Sequence, residues 1–232
     1  MATKFSVLVL TAAPAGMAAE TGGSFLKIDG REAILRSVEL FLNRDNVGQV
    51  QVVFLAEEAE EGRRKFGGHL GLFGVKVLTG GPRWVDQIVA AAEKIHADAT
   101  HVIVHDAARP AVPYSDIDVL MEEAEKAKAA TLATPVRARI AEVDEGGNAV
   151  AFHSPSTYMQ VLTPQVFSID VFREIAKTRQ EPHASAFTLV KGSPLNVRVG
   201  GAGDERMVKT MIGMLPKPKV KGPSNPFEEA QW

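Results

Sequence analysis

The chain of 232 residues carries 26 lysines and arginines against 28 aspartates and glutamates, and it has no cysteine. That composition excludes disulfide staples, thiolate metal centres and cysteine nucleophiles. The net charge of −2 gives no overall field that would draw DNA, RNA or an anionic membrane surface. A chain of this mass buries roughly 70% of its extended surface, so an apolar core alone can hold it.

From the N terminus, Phe5–Leu10 is a near-continuous apolar run that leads into Pro14-Ala15-Gly16. A membrane-crossing helix needs about 20 apolar residues, so this stretch is too short to span a bilayer. It reads as a buried strand rather than a leader, which fits a cytoplasmic protein. Val50–Leu55, Val75–Leu78 and His101–Val104 repeat the pattern of parallel strands covered on both faces. Between them, Ile34–Leu42, Glu57–Phe66 and Trp84–Ile95 have helical spacing. The alternation predicts right-handed βαβ units and an α/β fold: a Rossmann-like, doubly wound, mostly parallel sheet.

Beyond these units, Tyr114–Ala130 reads as a helix entered through Pro113, and Thr131–Thr134 as a strand. Arg139–Asp144 and Asn148–Phe152 flank Gly146-Gly147 and predict a β-hairpin arm over residues 138–152. Such an arm is not stable alone and has to pack on the sheet or on a second subunit. Phe167–Thr178 is expected as a helix, Leu195–Val199 as a strand and Asp204–Leu215 as the last helix. Residues 1–215 then form one domain. Residues 216–232, rich in proline and lysine, read as a loose tail.

In open α/β sheets, ligands bind at the carboxyl ends of the strands. The segment Thr11–Ser24 lies there with glycines and small residues, and reads either as a phosphate cradle or as a simple loop. Gly80-Gly81-Pro82-Arg83 is either an anion-holding turn or a tight strand-to-helix connection. His105-Asp106-Ala-Ala-Arg109-Pro110 follows the fourth strand directly. An acid at that place suits Mg²⁺, which takes hard oxygen ligands and shares them with substrate phosphates. Arg109 offers a planar fork for a phosphate, while His105 reads as an orienting or packing residue. Lys209, on the last helix, could reach a phosphate or face solvent.

These motifs, in this order, resemble the cytidylyltransferases that act on methylerythritol phosphate in isoprenoid synthesis. The likeness rests on His105–Pro110, on Phe25–Arg31 with Ile34–Ser37, on Gly80-Gly81 with Arg83, and on Ala133–Arg137. Leu162-Thr163-Pro164-Gln165 and Val208-Lys209-Thr210 extend it to about residue 215. The resemblance implies a nucleotidyltransferase that uses CTP and Mg²⁺ and passes CMP to a small phosphorylated polyol, releasing pyrophosphate. It implies a homodimer formed through the arm, with neither nucleic acid nor membrane as a partner. It places Ala12, Ala13, Gly16, Gly80, Gly81 and Arg83 by the nucleotide, and Mg²⁺ on Asp106. Lys209 would neutralise the α-phosphate, and Arg109 would line the substrate side. Arg137, Arg139 and Thr163 would lie on the substrate side.

The likeness also breaks at named places. The family's first loop carries an arginine and then a Pro-Lys-Gln triplet; here the triplet's place holds Gly22, Gly23 and Ser24, so the lysine falls on Gly23. Lys27 is the nearby candidate to stand in for it, with Arg31 behind it. Arg139 takes the place of a threonine and offers a cation to an anionic acceptor. Glu181 and Pro182 stand where the family has a Thr-Asp pair. A lost charge-stabilising donor can cost about 3–4 kcal/mol in a transition state. A lysine restored at Gly23 is therefore expected to raise turnover if the rest of the site is intact; the competing readings are a relative that only binds nucleotide or protein and a nucleotidyltransferase with a different acceptor.

Overall fold

The structure is a computed structural model, in which residues 3–14 and 23–215 are described. Gly16, the loop around it and the 216–232 tail lie outside the described residues.

The first strand, β1 (Phe5–Leu10), is buried along its whole length. It pairs in parallel with β4 (Val47–Leu55) on one side and with β6 (His101–Asp106) on the other. A short antiparallel pair, β2 (Lys27–Ile28) and β3 (Arg31–Glu32), leads into α1 (Ala33–Leu42). Next come α2 (Ala59–Leu72), β5 (Lys76–Gly80) and α3 (Trp84–Ala92), and β6 is followed by α4 (Tyr114–Glu123). Then β7 (Ala129–Pro135) precedes the β8 (Ile140–Val143) and β9 (Ala149–His153) hairpin. The chain closes with β10 (Met159–Ser168), α5 (Ile169–Thr178), β11 (Thr188–Lys191) and α6 (Glu205–Met214). The main sheet has seven strands in the order β11-β7-β10-β6-β1-β4-β5. β10 runs antiparallel to both its neighbours and the other pairings are parallel.

Burial on both faces explains why the strands read as unbroken apolar runs. Val7 and Val9 face one core with Ile34, Phe41, Phe66 and Ile117, from α1, α2 and α4. Leu8 and Leu10 face the other with Trp84, Ile88 and Phe172, from α3 and α5. The expected α/β fold and the hairpin are therefore present.

Several expected elements differ. The helix expected over Tyr114–Ala130 stops at Glu123, because Ala129 and Ala130 enter β7 beside β10 and β11. The helix expected from Phe167 starts at Ile169, because Phe167 still pairs with Val102 and Ala129. β10 carries Pro164, which has no N–H to donate. The pairing with β7 shifts register between Leu162 and Gln165, so the proline sits at an irregularity that a regular central strand would not allow. Leu195–Val199 forms no strand. Its polar groups are spent on neighbouring loops: Val199 N–H donates to Ala108 O at 2.8 Å, and the Asn196 amide to Thr163 O at 2.7 Å.

Candidate active site

Chain order reverses at β1, whose carboxyl end opens between those of β4 and β6. Thr11 carries the chain out of the sheet: its N–H donates to Val53 O at 3.1 Å, and its hydroxyl accepts from Leu55 N–H at 2.9 Å. Ala12 is buried, and its N–H donates to the side-chain oxygen of Gln87 at 3.2 Å. Gln87 is itself fully buried on α3, so α3 fixes where the first loop leaves β1.

The two glycines at the end of β5 are explained by that helix. A Cβ on Gly80 would lie 2.8 Å from Gln87 Cγ, and one on Gly81 would lie 2.9 Å from Asp86 Cβ. They form a close strand-to-helix turn. Arg83, the anion-holding candidate, is directed back at Asp86, with Nε 2.9 Å from Oδ2 and Nη2 2.6 Å from Oδ1. That bidentate pair holds the Asp86 carboxyl below the usual range.

The centre of the site is the loop after β6. His105 is fully buried; its Nε2 lies 3.1 Å from Arg109 O and its Nδ1 3.2 Å from the Thr163 hydroxyl. A carbonyl can only accept, so Nε2 carries the proton and Nδ1 accepts from the hydroxyl. The same hydroxyl accepts from Asp106 N–H at 3.1 Å. Burial pushes the imidazole pKa down to about 3, so it is neutral and holds the loop instead of moving protons. Ser37 on α1 adds a hydroxyl bond to Ala107 O at 2.9 Å.

This scaffold aims a cluster of charge. The Asp106 carboxylate is 0% exposed. Its Oδ1 accepts from Ala108 N–H at 2.9 Å and its Oδ2 from Arg198 Nε at 2.8 Å. Arg109 Nε lies 3.7 Å from the same oxygen. Arg109 is 3% exposed, and its Nη1 donates to Asn196 O at 2.9 Å. Burial works against the Arg109 charge, lowering its pKa, and Asp106 restores part of it. Its Nε has no hydrogen-bond partner among the described residues. Arg109 also lines a cavity of about 400 Å³ together with Trp84, Leu162, Thr163, Glu181 and Phe187.

Thus the site unites Asp106, Arg109, Thr163 and Ala12 from the residues singled out in the sequence. It adds Arg198 and Asn196, which were counted within a strand. Their signal was present: Asn196 and Arg198 alternate with Val197 and Val199, so both polar residues share one side of an extended segment.

Other cations are placed elsewhere. Lys209 Nζ lies 2.8 Å from Asp29 Oδ1 in an exposed pair, so the cation bonded to Asp106 is Arg198 and not Lys209. Lys27 is exposed beside Glu32 at 3.8 Å, because β2 turns its neighbour Ile28 inward. Arg31 pairs with Glu39. Arg139 lies over the Phe152 ring of the hairpin, 4.6 Å from its centroid, and Arg137 is exposed after β7.

The metal expectation also changes. Both Asp106 oxygens are engaged and the carboxylate already faces two guanidiniums, so this arrangement does not present it to Mg²⁺. Among the described residues there is no group of three or more His, Asp or Glu that could hold a metal.

A parallel-sheet switch point with buried guanidiniums at the strand ends defines an α/β domain built to handle phosphates. The particular family follows from comparison. The family model of 2-C-methyl-D-erythritol 4-phosphate cytidylyltransferase matches residues 6–208, and the chain belongs to that family. It is 28% identical to the enzyme of that name from Symbiobacterium thermophilum over 195 residues, 83% of this chain and 80% of the relative. To the Lachnospira eligens enzyme it is 28% identical over 158 residues, 68% of this chain and 69% of the relative. The Thermus thermophilus enzyme's crystal structure superposes with a TM-score of 0.70 at 21% identity, covering 91% of this chain and all (100%) of that one. A structure titled 4-diphosphocytidyl-2C-methyl-D-erythritol synthase gives 0.73 at 21% identity, covering 91% and 99%. These two likenesses concern the fold.

Proposed function

We propose that the chain transfers CMP from CTP to a phosphorylated polyol, 2-C-methyl-D-erythritol 4-phosphate, and releases pyrophosphate. Membership of the family supports the reaction class. The observation that carries the mechanism is the buried Asp106–Arg198–Arg109 cluster at the end of β6. In the reaction an acceptor phosphate oxygen attacks the α-phosphorus of CTP. A new P–O bond forms, the α–β anhydride bond breaks, and pyrophosphate leaves with the bonding pair. Negative charge spreads over phosphate oxygens, and fixed cations stabilise it most where water is excluded. Arg198 and Arg109 are those cations. Asp106 holds them in place, and neutral His105 with Thr163 holds Asp106.

The nucleotide lies along Ala12, Ala13, Gly80 and Gly81, and the acceptor enters the cavity that Arg109 lines. Mg²⁺ bound together with CTP would supply further positive charge against the phosphate oxygens. The 140–153 hairpin joins two subunits: it exposes Val143, Val150 and Phe152, an apolar surface that a second copy would cover. Membership of a biosynthetic enzyme family supports work in the cytoplasm.

A relative that binds nucleotide without turnover is the second reading, favoured by Gly23 in place of the family lysine. Pyrophosphate release separates the two. Wild-type protein with Mg²⁺ and CTP is given 2-C-methyl-D-erythritol 4-phosphate, with ribitol 5-phosphate and the other nucleoside triphosphates as controls. Acceptor-dependent release that prefers CTP is the expected result. CTP binding in calorimetry without release from any acceptor establishes the second reading.

A further inference from the structure

We infer that Gly23 is a positioning residue for this transfer, acting through Arg198; the inference rests on the proposed reaction for its kinetic part only. Gly23 opens a single 3₁₀ turn, Gly23–Phe25, and lies against the backbone of Val199. Space decides what this position can hold. A Cβ built on Gly23 falls 2.1 Å from the carbonyl oxygen of Val199 and 3.1 Å from its carbonyl carbon. Both are backbone atoms, so no rotamer change relieves the contact.

Val199 is also pinned from the other side. Its N–H donates to Ala108 O at 2.8 Å, and its side chain is buried with Ile28, Ala33, Ala111 and Val208. Arg198 is the preceding residue, and its Nε meets Asp106 at 2.8 Å. A steric line therefore runs from position 23 through the Val199 carbonyl to the Arg198 guanidinium. A methyl group at 23 has to displace the Val199 carbonyl oxygen by more than about 1 Å to reach ordinary contact. That shift is enough to take Arg198 off Asp106.

The consequence reverses the expectation drawn from the sequence. A lysine at 23 and an arginine bonded to Asp106 cannot coexist in this packing, since a lysine brings the same Cβ. This chain has its cation on 198 and keeps position 23 bare to seat it. Restoring the lysine therefore lowers activity.

The test is a cycle of Gly23→Ala, Arg198→Met and the double variant, read in two ways. Turnover is measured as pyrophosphate release, with folded fraction from circular dichroism. A displacement near 1 Å can cost about 100-fold, so Gly23→Ala is expected to lower kcat by about that factor in the wild-type background. In the Arg198→Met background it should cost less than about threefold, because residues acting as a unit are not additive. Equal losses in both backgrounds, or no loss in the first, overturn the inference. The second reading does not need activity. The Arg198 Nε–H resonance of ¹⁵N-labelled protein should be downfield and slow to exchange, and Gly23→Ala should move it toward a solvated arginine. An unmoved resonance overturns the inference whether or not the enzyme turns over. A moved resonance with no turnover from the wild type would leave the positioning standing and reject the proposed reaction. In case Gly23→Ala does not fold, Val199→Pro removes the Ala108 pin without adding bulk at 23; an unshifted Arg198 resonance there counts against the inference equally.

Discussion

Two sets of arginines and lysines in this molecule have similar partners and opposite surroundings. Around Asp106, the side chains of Arg109, Arg198 and the carboxylate are 3%, 8% and 0% exposed. On the surface, Lys209–Asp29, Lys27–Glu32 and Arg83–Asp86 have partners at comparable distances but stand mostly in water. A buried charge that loses its partner keeps its desolvation cost, whereas an exposed one recovers water. Equal distances therefore do not mean equal weight, and the cations proposed to serve the transfer are those the fold has dried. Contact with an acid identifies neither set; burial separates them.

The sharpest way to break this contrast is Asp106→Ala. It removes the buried carboxylate that faces both guanidiniums and leaves Arg109 without its acid, and should destabilise the protein by about 3–5 kcal/mol in urea unfolding. Activity should fall below detection. A loss no larger than that of a surface variant would mean that water reaches the cluster.

The second test uses protons. The His105 pKa is about 3 in the fold against 6.5 for an ordinary histidine, so below 6.5 the unfolded chain binds the proton and the folded chain does not. The stability that His105 contributes is present above that pH and is lost as pH falls toward 3. Between its ordinary pKa and about pH 5 the loss is about 1.5 kcal/mol. Urea midpoints across that range should show this slope in the wild type and a flatter one in His105→Gln. Parallel slopes would remove the histidine from the account.

A smaller effect is expected at Thr163. Thr163→Val deletes a hydroxyl that serves both His105 and Asp106 N–H, and should cost about 1–3 kcal/mol. Turnover should fall further than binding, because the Asp106 loop is then loosely held; an unchanged kcat would show that Arg109 and Arg198 need no such support. Smallest of all should be Lys209→Ala. Its partner Asp29 is on the surface, and neither the unfolding midpoint nor kcat should change measurably. A collapse of kcat there would restore Lys209 to the phosphate and undo the comparison.

How far the sequence could be read follows the same division. The buried runs of β1, β4 and β6 and the spacing of α1 and α3 announced the sheet, since local pattern and tertiary burial agree there. β10 was hidden because Pro164 and the antiparallel turn at that strand contradict a regular pattern. β11 was hidden because four residues at a sheet edge carry too little pattern to see. The His105–Pro110 motif was legible as a site. The identity of its cation partner was not, since Arg198 lies 92 residues from Asp106 and on no regular element.

What the sequence determined by itself is the class of fold, the hairpin and the family, because these depend on runs of residues whose meaning is local or shared along the chain. The tertiary structure alone decided that Asp106 meets Arg198, that His105 is a neutral strut and that Gly23 is bare for lack of room. Each of those depends on distances between segments far apart in the chain, and on water being shut out where they meet.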